Sequence, residues 1–203
     1  MVVMTGSRVA HRRGRHDPLG LEALGGRPPT IDDLNRLPDD GYRYELDEGL
    51  LVVSAAPANH HQVVSSRLHL FLGNACPPSM MVLATPGLAI SAVQFRVPDL
   101  VVVRGEDTES RYIERPPLLV VEIASPSTER YDRSRKKEVY ADFGIPDYWI
   151  VRPDREKPDV TVFQLNGGKY EQADYVVGAA TFTARRPFSV AFTPGALVSS
   201  GPR

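Results

Sequence analysis

The chain has 203 residues, of which 42% are hydrophobic, and this size accommodates one domain with a proper core. Its 24 basic and 25 acidic residues leave a formal net charge of −1, which excludes a protein that coats nucleic acid by bulk charge. The single cysteine, Cys76, excludes an internal disulfide framework and a Cys-rich zinc site, and favours a small buried apolar residue. Because no apolar run approaches the roughly 18 residues of a membrane span and the start lacks a secretory signal, we expect a cytoplasmic protein without membrane contact.

The first residues are rich in arginine and show no lasting hydrophobic period. We therefore expect residues 1–28 to form a flexible basic tail, which is either a solvated extension or an arm that touches DNA phosphates. Residues 29–197 are expected to form a single domain, and residues 198–203 a loose C-terminus.

A short helix is predicted after Thr30, which is a suitable N-cap residue. The run YRYELDEGLLVV then predicts a β-hairpin that turns at Asp47-Glu48-Gly49. On its first strand Glu45 shares a face with Arg43 and Asp47. Two interpretations of Glu45 stay open, namely a solvent-facing strand residue and a carboxylate directed at a functional site.

A helix of about fifteen residues is predicted to begin near His60 or His61, because Val64 and Leu68 follow at helical spacing. Adjacent histidines point in different directions on a helix, so they are poor joint metal ligands. One of them could cap the helix or face a cleft, and an ordinary surface position is the alternative.

Two carboxylates stand next to or within apolar runs in the middle of the chain. Pro98 marks the start of the strand in VPDLVVV, which places Asp99 at its mouth. The run PLLVVEIAS is apolar on both faces, as in a strand buried within a sheet, and it contains Glu122. If the two strands pair antiparallel with Val103 opposite Leu118, Asp99 lies opposite Glu122.

The later segments predict a helix, a buried strand, a hairpin and a closing strand. The helix lies in ERYDRSRKKEVYADFG and ends at Gly144, the strand is YWIVRP, and the hairpin turns at Asn166-Gly167-Gly168. The closing strand lies in FTARRPFSVAFTPG. Together the elements predict a mixed α/β (α+β) fold with a central mixed β-sheet flanked by helices and an additional N-terminal β-hairpin.

Glu122 would be unfavourable by several kcal/mol if it were charged and unpaired among valine and isoleucine side chains. A divalent cation shared with Asp99 would compensate the charge, and two carboxylates suit Mg²⁺ or Mn²⁺ better than zinc. A buried ion pair or a protonated acid are the alternatives for Glu122.

One lysine of the helix is expected on its buried stripe. The stripe contains Lys136, Val139, Tyr140 and Phe143. Lys137 should be solvated, so Lys136 is the lysine that can reach the carboxylates and hold a water or a developing anion. Asp132 lies one turn earlier as a site residue or an N-cap, and Tyr140 is either a core residue or part of the site.

The same helix carries a basic patch, which would face phosphates or simply be solvated. Its candidate nucleic-acid contacts are Arg130, Arg133, Arg135 and Lys137.

These segments resemble a known family. They are similar to the putative restriction endonuclease family of uncharacterised bacterial proteins (Uma-type endonucleases). The resemblance is carried by the motifs VPDLVVV, LLVVEIASPST and GIPDYWIV and by the D-x-x-x-K-x-x-x-Y pattern of Asp132, Lys136 and Tyr140. This family belongs to the PD-(D/E)xK nuclease superfamily. The likeness extends from about Thr30 to Leu165 and includes RYELDEGLLVV and the HQ of His61.

The resemblance implies a restriction-endonuclease-like fold, dependence on Mg²⁺ (or Mn²⁺) and cleavage of DNA. It assigns Asp99 to the PD motif and Glu122 to the second half-motif. The chain departs from the usual pattern at Ala124, where a lysine is expected, and the family places its lysine on the following helix, at Lys136.

The resemblance further implies two more site groups. The early glutamate of the family corresponds to Glu45, and the main-chain carbonyl of Ile123 is expected to ligate the metal.

The leading hypothesis is thus a Mg²⁺-dependent endonuclease that hydrolyses DNA phosphodiester bonds, with Asp99 and Glu122 as metal ligands and Lys136 as the residue that assists the attacking water or stabilises the transition state. The alternatives are a non-catalytic binding or regulatory protein with a nuclease fold and a metal-dependent hydrolase of another phosphate ester. A homodimer is expected because cutting both strands benefits from two-fold symmetry.

Overall fold

The computed structural model describes residues 2–4, 26–124 and 132–199, with the main chain alone at residues 2–4, 132 and 133. The strands, in chain order, are β1 (Val2–Met4), β2 (Arg43–Asp47), β3 (Leu50–Ser54), β4 (Met80–Ala84), β5 (Leu88–Ser91), β6 (Gln94–Arg96), β7 (Leu100–Arg104), β8 (Leu119–Ile123), β9 (Asp147–Arg152), β10 (Asp159–Asn166), β11 (Lys169–Val177), β12 (Phe182–Ala184) and β13 (Val190–Phe192). The α-helices are α1 (Ile31–Leu34), α2 (Asn59–Ala75), α3 (Lys137–Phe143) and α4 (Pro194–Val198). A 3₁₀ turn covers Gly105–Thr108 and a π-helical turn covers Asp132–Lys136.

The chain divides into two compact units, and the single domain expected over residues 29–197 stays a prediction. The first unit comprises Met1–Ala56 and Gly87–Val97, and the second comprises Pro57–Pro86 and Pro98–Arg203. No helix among the described residues is long and apolar enough to cross a membrane.

The first unit contains an antiparallel sheet with the strand order β1-β3-β2-β6-β5. The predicted β-hairpin is confirmed as β2 and β3, which are joined by Glu48 and Gly49 with positive φ angles of 50° and 74°. A side chain at position 49 is excluded, since its Cβ would lie 2.6 Å from Pro28 Cβ. Strand β1 pairs with β3, so residues 2–4 of the predicted flexible tail are part of the sheet, and residues 5–25 lie outside the described residues.

The start of α1 is held by a side chain three residues inside the helix. The main-chain N and the Oγ1 of Thr30 donate to Asp33 Oδ2 at 2.8 Å and 2.9 Å, which confirms the predicted helix start. The Arg27 guanidinium donates to both oxygens of Asp33 at 2.7 Å. These bonds favour the charged carboxylate and hold the pKa of Asp33 well below its usual range.

The second unit is built on a six-stranded sheet with the order β11-β10-β9-β8-β7-β4. Strands β8 and β9 pair in parallel through the crossover that contains α3, and the other pairs are antiparallel, so the predicted mixed sheet is confirmed. Val64, Leu68 and Leu72 of α2 are fully buried in a core formed with one face of this sheet. The opposite face carries the residues at alternate positions, among them Glu122.

The predicted helix before Gly144 begins as a π-helical turn and continues as α3. It ends as expected, with Gly144 in the left-handed conformation at a φ of 88°. The closing strand predicted in FTARRPFSVAFTPG is wrong: the segment forms the two-stranded sheet β12–β13, followed by α4. Pro187 lies between the strands and cannot donate to a ladder, which accounts for the break. Of the predicted loose C-terminus, Val198 ends α4, and residues 200–203 lie outside the described residues.

Candidate active site

The two acids lie at the end of the β7–β8 ladder. Leu100 pairs with Val121 in the predicted antiparallel register, which is therefore confirmed. Asp99 directly precedes Leu100 and Glu122 directly follows Val121, so the next position of the same register sets Asp99 opposite Glu122. Each side chain belongs to a residue that is only 2% exposed. The sheet therefore places two acids side by side in a poorly hydrated environment.

Glu122 is contacted by two residues from the helix that follows β8. The Lys136 ammonium lies 2.9 Å from Glu122 Oε1, and the Tyr140 hydroxyl donates to the same oxygen at 2.6 Å. Lys136 is 6% exposed and Tyr140 is fully buried. The buried ion pair is one of the alternatives predicted for Glu122, and it also places the ammonium where the catalytic hypothesis requires it.

The phase of the helix explains why Lys136, rather than its neighbour, reaches Glu122. Lys136 and Tyr140 are four residues apart, so they lie on one face of the helix. The Tyr140 ring packs edge-on against Tyr148 of β9, with 5.3 Å between ring centroids. The predicted solvation of Lys137 is wrong, because this side chain is half-buried with its ammonium 3.9 Å from the centre of the Phe163 ring. This burial lowers the pKa of Lys137.

Asp99 is held by the main chain of β8 and by a histidine. Its Oδ2 accepts a hydrogen bond of 2.8 Å from the main-chain N of Ile123 and lies 3.2 Å from His61 Nε2. His61 lies in the first turn of α2, and its Nδ1 is buried with no hydrogen-bond partner in the part of the chain that the structure describes. The adjacent His60 turns elsewhere, with Nε2 2.7 Å from the Pro153 carbonyl oxygen. Only one of the two histidines therefore reaches the acids.

The donor set at this site fits a magnesium-type ion. Among the described residues, no three His, Cys, Asp or Glu side chains form a metal-binding group. Mg²⁺ nevertheless needs only one or two carboxylates, because it retains several waters and accepts substrate phosphate oxygens. Asp99 and Glu122 supply two such carboxylates at adjacent positions of the sheet. The Ile123 nitrogen is used to fix Asp99, and the role of the Ile123 carbonyl as a ligand stays a prediction.

Glu45 belongs to the first unit, where it is 4% exposed. Its Oε1 accepts a hydrogen bond of 2.8 Å from the main-chain N of Val97. The solvent-facing interpretation of Glu45 is therefore wrong, and its assignment to the site by family resemblance stays a prediction.

The remaining predicted residues belong to the basic patch and its start. Asp132 begins the π-helical turn, but its side chain and that of Arg133 are not among the described ones, and Arg130 lies outside the described residues. The Arg135 side chain is 30% exposed, and its guanidinium lies 3.7 Å from Glu138 Oε2. Their contacts with nucleic acid stay predictions.

Sequence reasoning missed two buried acids of the same sheet, Asp147 and Asp159. Asp147 opens β9 and is 2% exposed, and its Oδ2 lies 3.3 Å from Arg186 Nε. Burial raises the pKa of Asp147, although Arg186 and Gln164 oppose this shift. Strand alternation places it on the face of Trp149, opposite to Glu122. An acid beside the apolar run YWIV could have revealed it, as the same signal revealed Glu122.

The fold is that of a solved nuclease-like structure. A crystal structure of a putative nuclease belonging to DUF820 from Anabaena variabilis superimposes with a TM-score of 0.70 over 84% of this chain and 98% of that chain, at 16% sequence identity. At this identity the likeness shows the fold, which confirms the predicted mixed α+β, restriction-endonuclease-like architecture. The chain thus has the architecture of this putative nuclease.

The sequence model of the family Uma2, putative restriction endonuclease, matches residues 31–197, and the chain belongs to this family. Membership in this family supports the interpretation of the chain as a nuclease. The uncharacterized protein slr1290 of Synechocystis sp. is 31% identical over 114 residues, which are 54% of this chain and 60% of that protein. The chain thus spans about 60% of the length of this curated relative.

Proposed function

We propose that the chain is a Mg²⁺- or Mn²⁺-dependent endonuclease that hydrolyses DNA phosphodiester bonds. The observation that carries the proposal is the contact of 2.9 Å between the Lys136 ammonium and Glu122 Oε1, next to Asp99 on the neighbouring strand. A buried acid pair with an adjacent ammonium supplies metal ligands and positive charge, the two requirements of phosphodiester hydrolysis. Membership in a family of putative restriction endonucleases supports DNA as the substrate.

Asp99 and Glu122 would hold the divalent ion, with the Ile123 carbonyl as a further ligand. The bound ion would supply Lewis-acid charge to a phosphate oxygen and lower the pKa of a water. The ammonium of Lys136, with three donors, would orient the attacking water and stabilise negative charge that develops on the phosphate.

The neighbouring groups act by positioning the acids. The Tyr140 hydroxyl and Lys136 both bind Oε1, which fixes the orientation of the Glu122 carboxylate. The Ile123 nitrogen and His61 fix Asp99 through its Oδ2. Such fixed neighbours keep metal ligands in place and raise their effectiveness. Asp132 and the arginines of the basic patch would add contacts to the substrate or to the site, and a role for Glu45 is implied by the family resemblance alone.

The test is cleavage of supercoiled plasmid by the full chain with Mg²⁺ or Mn²⁺. Wild type should produce nicked or linear DNA, and Asp99→Ala and Glu122→Ala should abolish the cleavage. Lys136→Met should slow it by about a hundredfold or more, because the positive charge next to the reacting phosphate is lost. Asp147→Asn is the matched control, since it removes a buried carboxylate from the opposite face of the same sheet and should leave cleavage unchanged.

Cleavage that survives both alanine substitutions would refute the assignment of the acids. If wild type does not cleave DNA but binds Mn²⁺ in calorimetry, and both alanine variants lose this binding, the chain is instead a non-catalytic nuclease-fold protein or a hydrolase of another phosphate ester.

A further inference from the structure

A continuous row of paired residues leads from the acids to the edge of the sheet. Glu122 pairs with Ile150, Ile150 pairs with Thr161, and Thr161 pairs with Tyr175 on the edge strand β11. Directly paired residues point to the same face of a sheet. With a spacing of about 4.8 Å between strands, Thr161 lies about 10 Å and Tyr175 about 14 Å from the position of Glu122. The row is buried at Ile150 and Thr161 and reaches solvent at Tyr175, on the same face of the sheet as the acid.

A groove lies along this row. It has a volume of about 430 Å³ and is lined by Arg152, Thr161, Phe163, Gln172 and Tyr175. This volume falls within the range of sites for small ligands. The groove, next to the candidate active site, is thus large enough to hold one monomer unit of a polymeric substrate.

The lining of the groove combines an open aromatic ring with positive charge. Tyr175 is 49% exposed, whereas Phe163 already has the Lys137 ammonium above its ring at 3.9 Å. The Arg152 side chain is 34% exposed, and its guanidinium lies 3.4 Å from the buried Asp159. The carboxylate fixes the arginine in place, since an ion pair with a 2% exposed acid restricts its rotamers.

These features match an unpaired nucleotide better than a base pair. Proteins bind single strands with a positively charged groove and aromatic rings on which bases stack. Base stacking needs an open ring such as that of Tyr175, which a base within a duplex cannot reach. Binding of duplex DNA relies on many phosphate contacts, and this chain, with a net charge of −1, has no excess of positive charge.

We propose that the groove between Arg152 and Tyr175 binds an unpaired nucleotide of a single-stranded DNA segment whose neighbouring phosphate lies at Asp99 and Glu122. The base stacks on Tyr175 and its phosphate contacts Arg152. This inference rests on the proposed function, because it names the form of DNA that the same site takes.

The test is the affinity of the full chain for a short fluorescent oligothymidylate, measured by anisotropy in EDTA so that no cleavage occurs. Tyr175→Ala should weaken this binding about tenfold or more, as expected for the loss of one stacked base. Tyr175→Phe retains the ring and should bind like wild type. Tyr42→Ala is the matched control, because Tyr42 is a tyrosine of similar exposure, 52%, in the first unit, and its removal should have no effect.

A hairpin duplex of the same label separates single-strand recognition from general DNA binding. Tyr175→Ala should change the affinity for the duplex by less than about twofold. The inference is overturned if the chain does not bind oligothymidylate or if Tyr175→Ala binds it like wild type. It is also overturned if Tyr175→Ala weakens the binding of oligothymidylate and of the hairpin duplex by the same factor. The plasmid assay tests the proposed function separately. If wild type cleaves DNA but Tyr175→Ala binds oligothymidylate like wild type, the nucleotide site in the groove is refuted and the nuclease function stands. If binding depends on Tyr175 but wild type does not cleave DNA, the nuclease function is refuted and the nucleotide site stands.

Discussion

Replacing Lys136 with methionine should destabilise the second unit strongly, because Glu122 stays in place as a buried carboxylate. The ammonium that lies 2.9 Å from Glu122 Oε1 is removed, while Glu122 remains 2% exposed. Removing one partner of a buried ion pair typically costs about 3–5 kcal/mol. The Tyr140 hydroxyl keeps its hydrogen bond of 2.6 Å to the same oxygen, so we expect a loss near the lower limit, about 3 kcal/mol in the free energy of unfolding.

Urea unfolding in EDTA, followed by tryptophan fluorescence, measures this loss. The chain has one tryptophan, Trp149, and it pairs with Val121 next to Glu122, so its signal reports on the affected strands. Lys137→Met is the control, since its ammonium lies over the Phe163 ring and not beside a buried carboxylate that the structure describes, and its loss should cost about 1 kcal/mol or less.

A second variant tests the origin of the effect. Lys136→Met combined with Glu122→Gln removes the buried charge but keeps an oxygen for the Tyr140 hydroxyl, so it should recover about 2 kcal/mol or more of the loss. Equal losses for Lys136→Met and Lys137→Met, or a double variant no more stable than Lys136→Met, would refute the reasoning.

Three further outcomes are expected. Tyr140→Phe removes the hydroxyl that donates to Glu122 but keeps the ring, so unfolding in urea should show a loss of about 1.5–3 kcal/mol, and an unchanged stability would contradict the bond. The pKa of Asp147 in the folded state is raised above its ordinary value of 3.8, so the wild type loses folding stability as the pH rises above 3.8. Asp147→Asn lacks this titration, so its free energy of unfolding relative to wild type should increase between pH below 3.8 and neutral pH. A constant or opposite difference would contradict the shift. Gly144→Ala forces a φ of 88° on a residue with a Cβ, so it should lower the free energy of unfolding by about 1 kcal/mol. An unchanged free energy of unfolding would argue against the left-handed conformation at the helix end.

The pairing of the two acids followed from sequence because only local patterns were needed. Two apolar runs joined by one polar loop form an antiparallel pair, and Pro98 fixed the start of the first strand. The observed pairing of Leu100 with Val121 has the predicted register. The expected position of Asp99 opposite Glu122 thus needed only this register.

The choice of Lys136 over Lys137 is also supported, although the helix is not regular. The turn Asp132–Lys136 is π-helical, which no sequence pattern indicated. The prediction for Lys136 is unaffected, because Val139 and Tyr140, which define the buried stripe, lie downstream in α3.

Long-range packing could not be predicted. The buried Glu45 accepts a hydrogen bond from the main-chain nitrogen of Val97, 52 residues later in the chain, and the Lys137 ammonium packs on the Phe163 ring of strand β10. Arg96 is fully buried with its guanidinium 2.7 Å from Asp47, and its position in the run QFRV gave no sign of this partner. Spacing within a segment defines a face of that segment, and it does not define which distant residue covers it.

The hydrogen bond from the Ile123 nitrogen to Asp99 ties one acid of the site directly to the backbone of β8. The relative position of the acids is set by the register of two paired strands, so a slip of one residue between β7 and β8 would put the two side chains on opposite faces of the sheet. The lysine has no such tie, since any nearby element that delivers an ammonium to Glu122 serves equally well. In this chain the ammonium comes from Lys136, on the helix that follows β8, whereas position 124, two residues after Glu122, is an alanine.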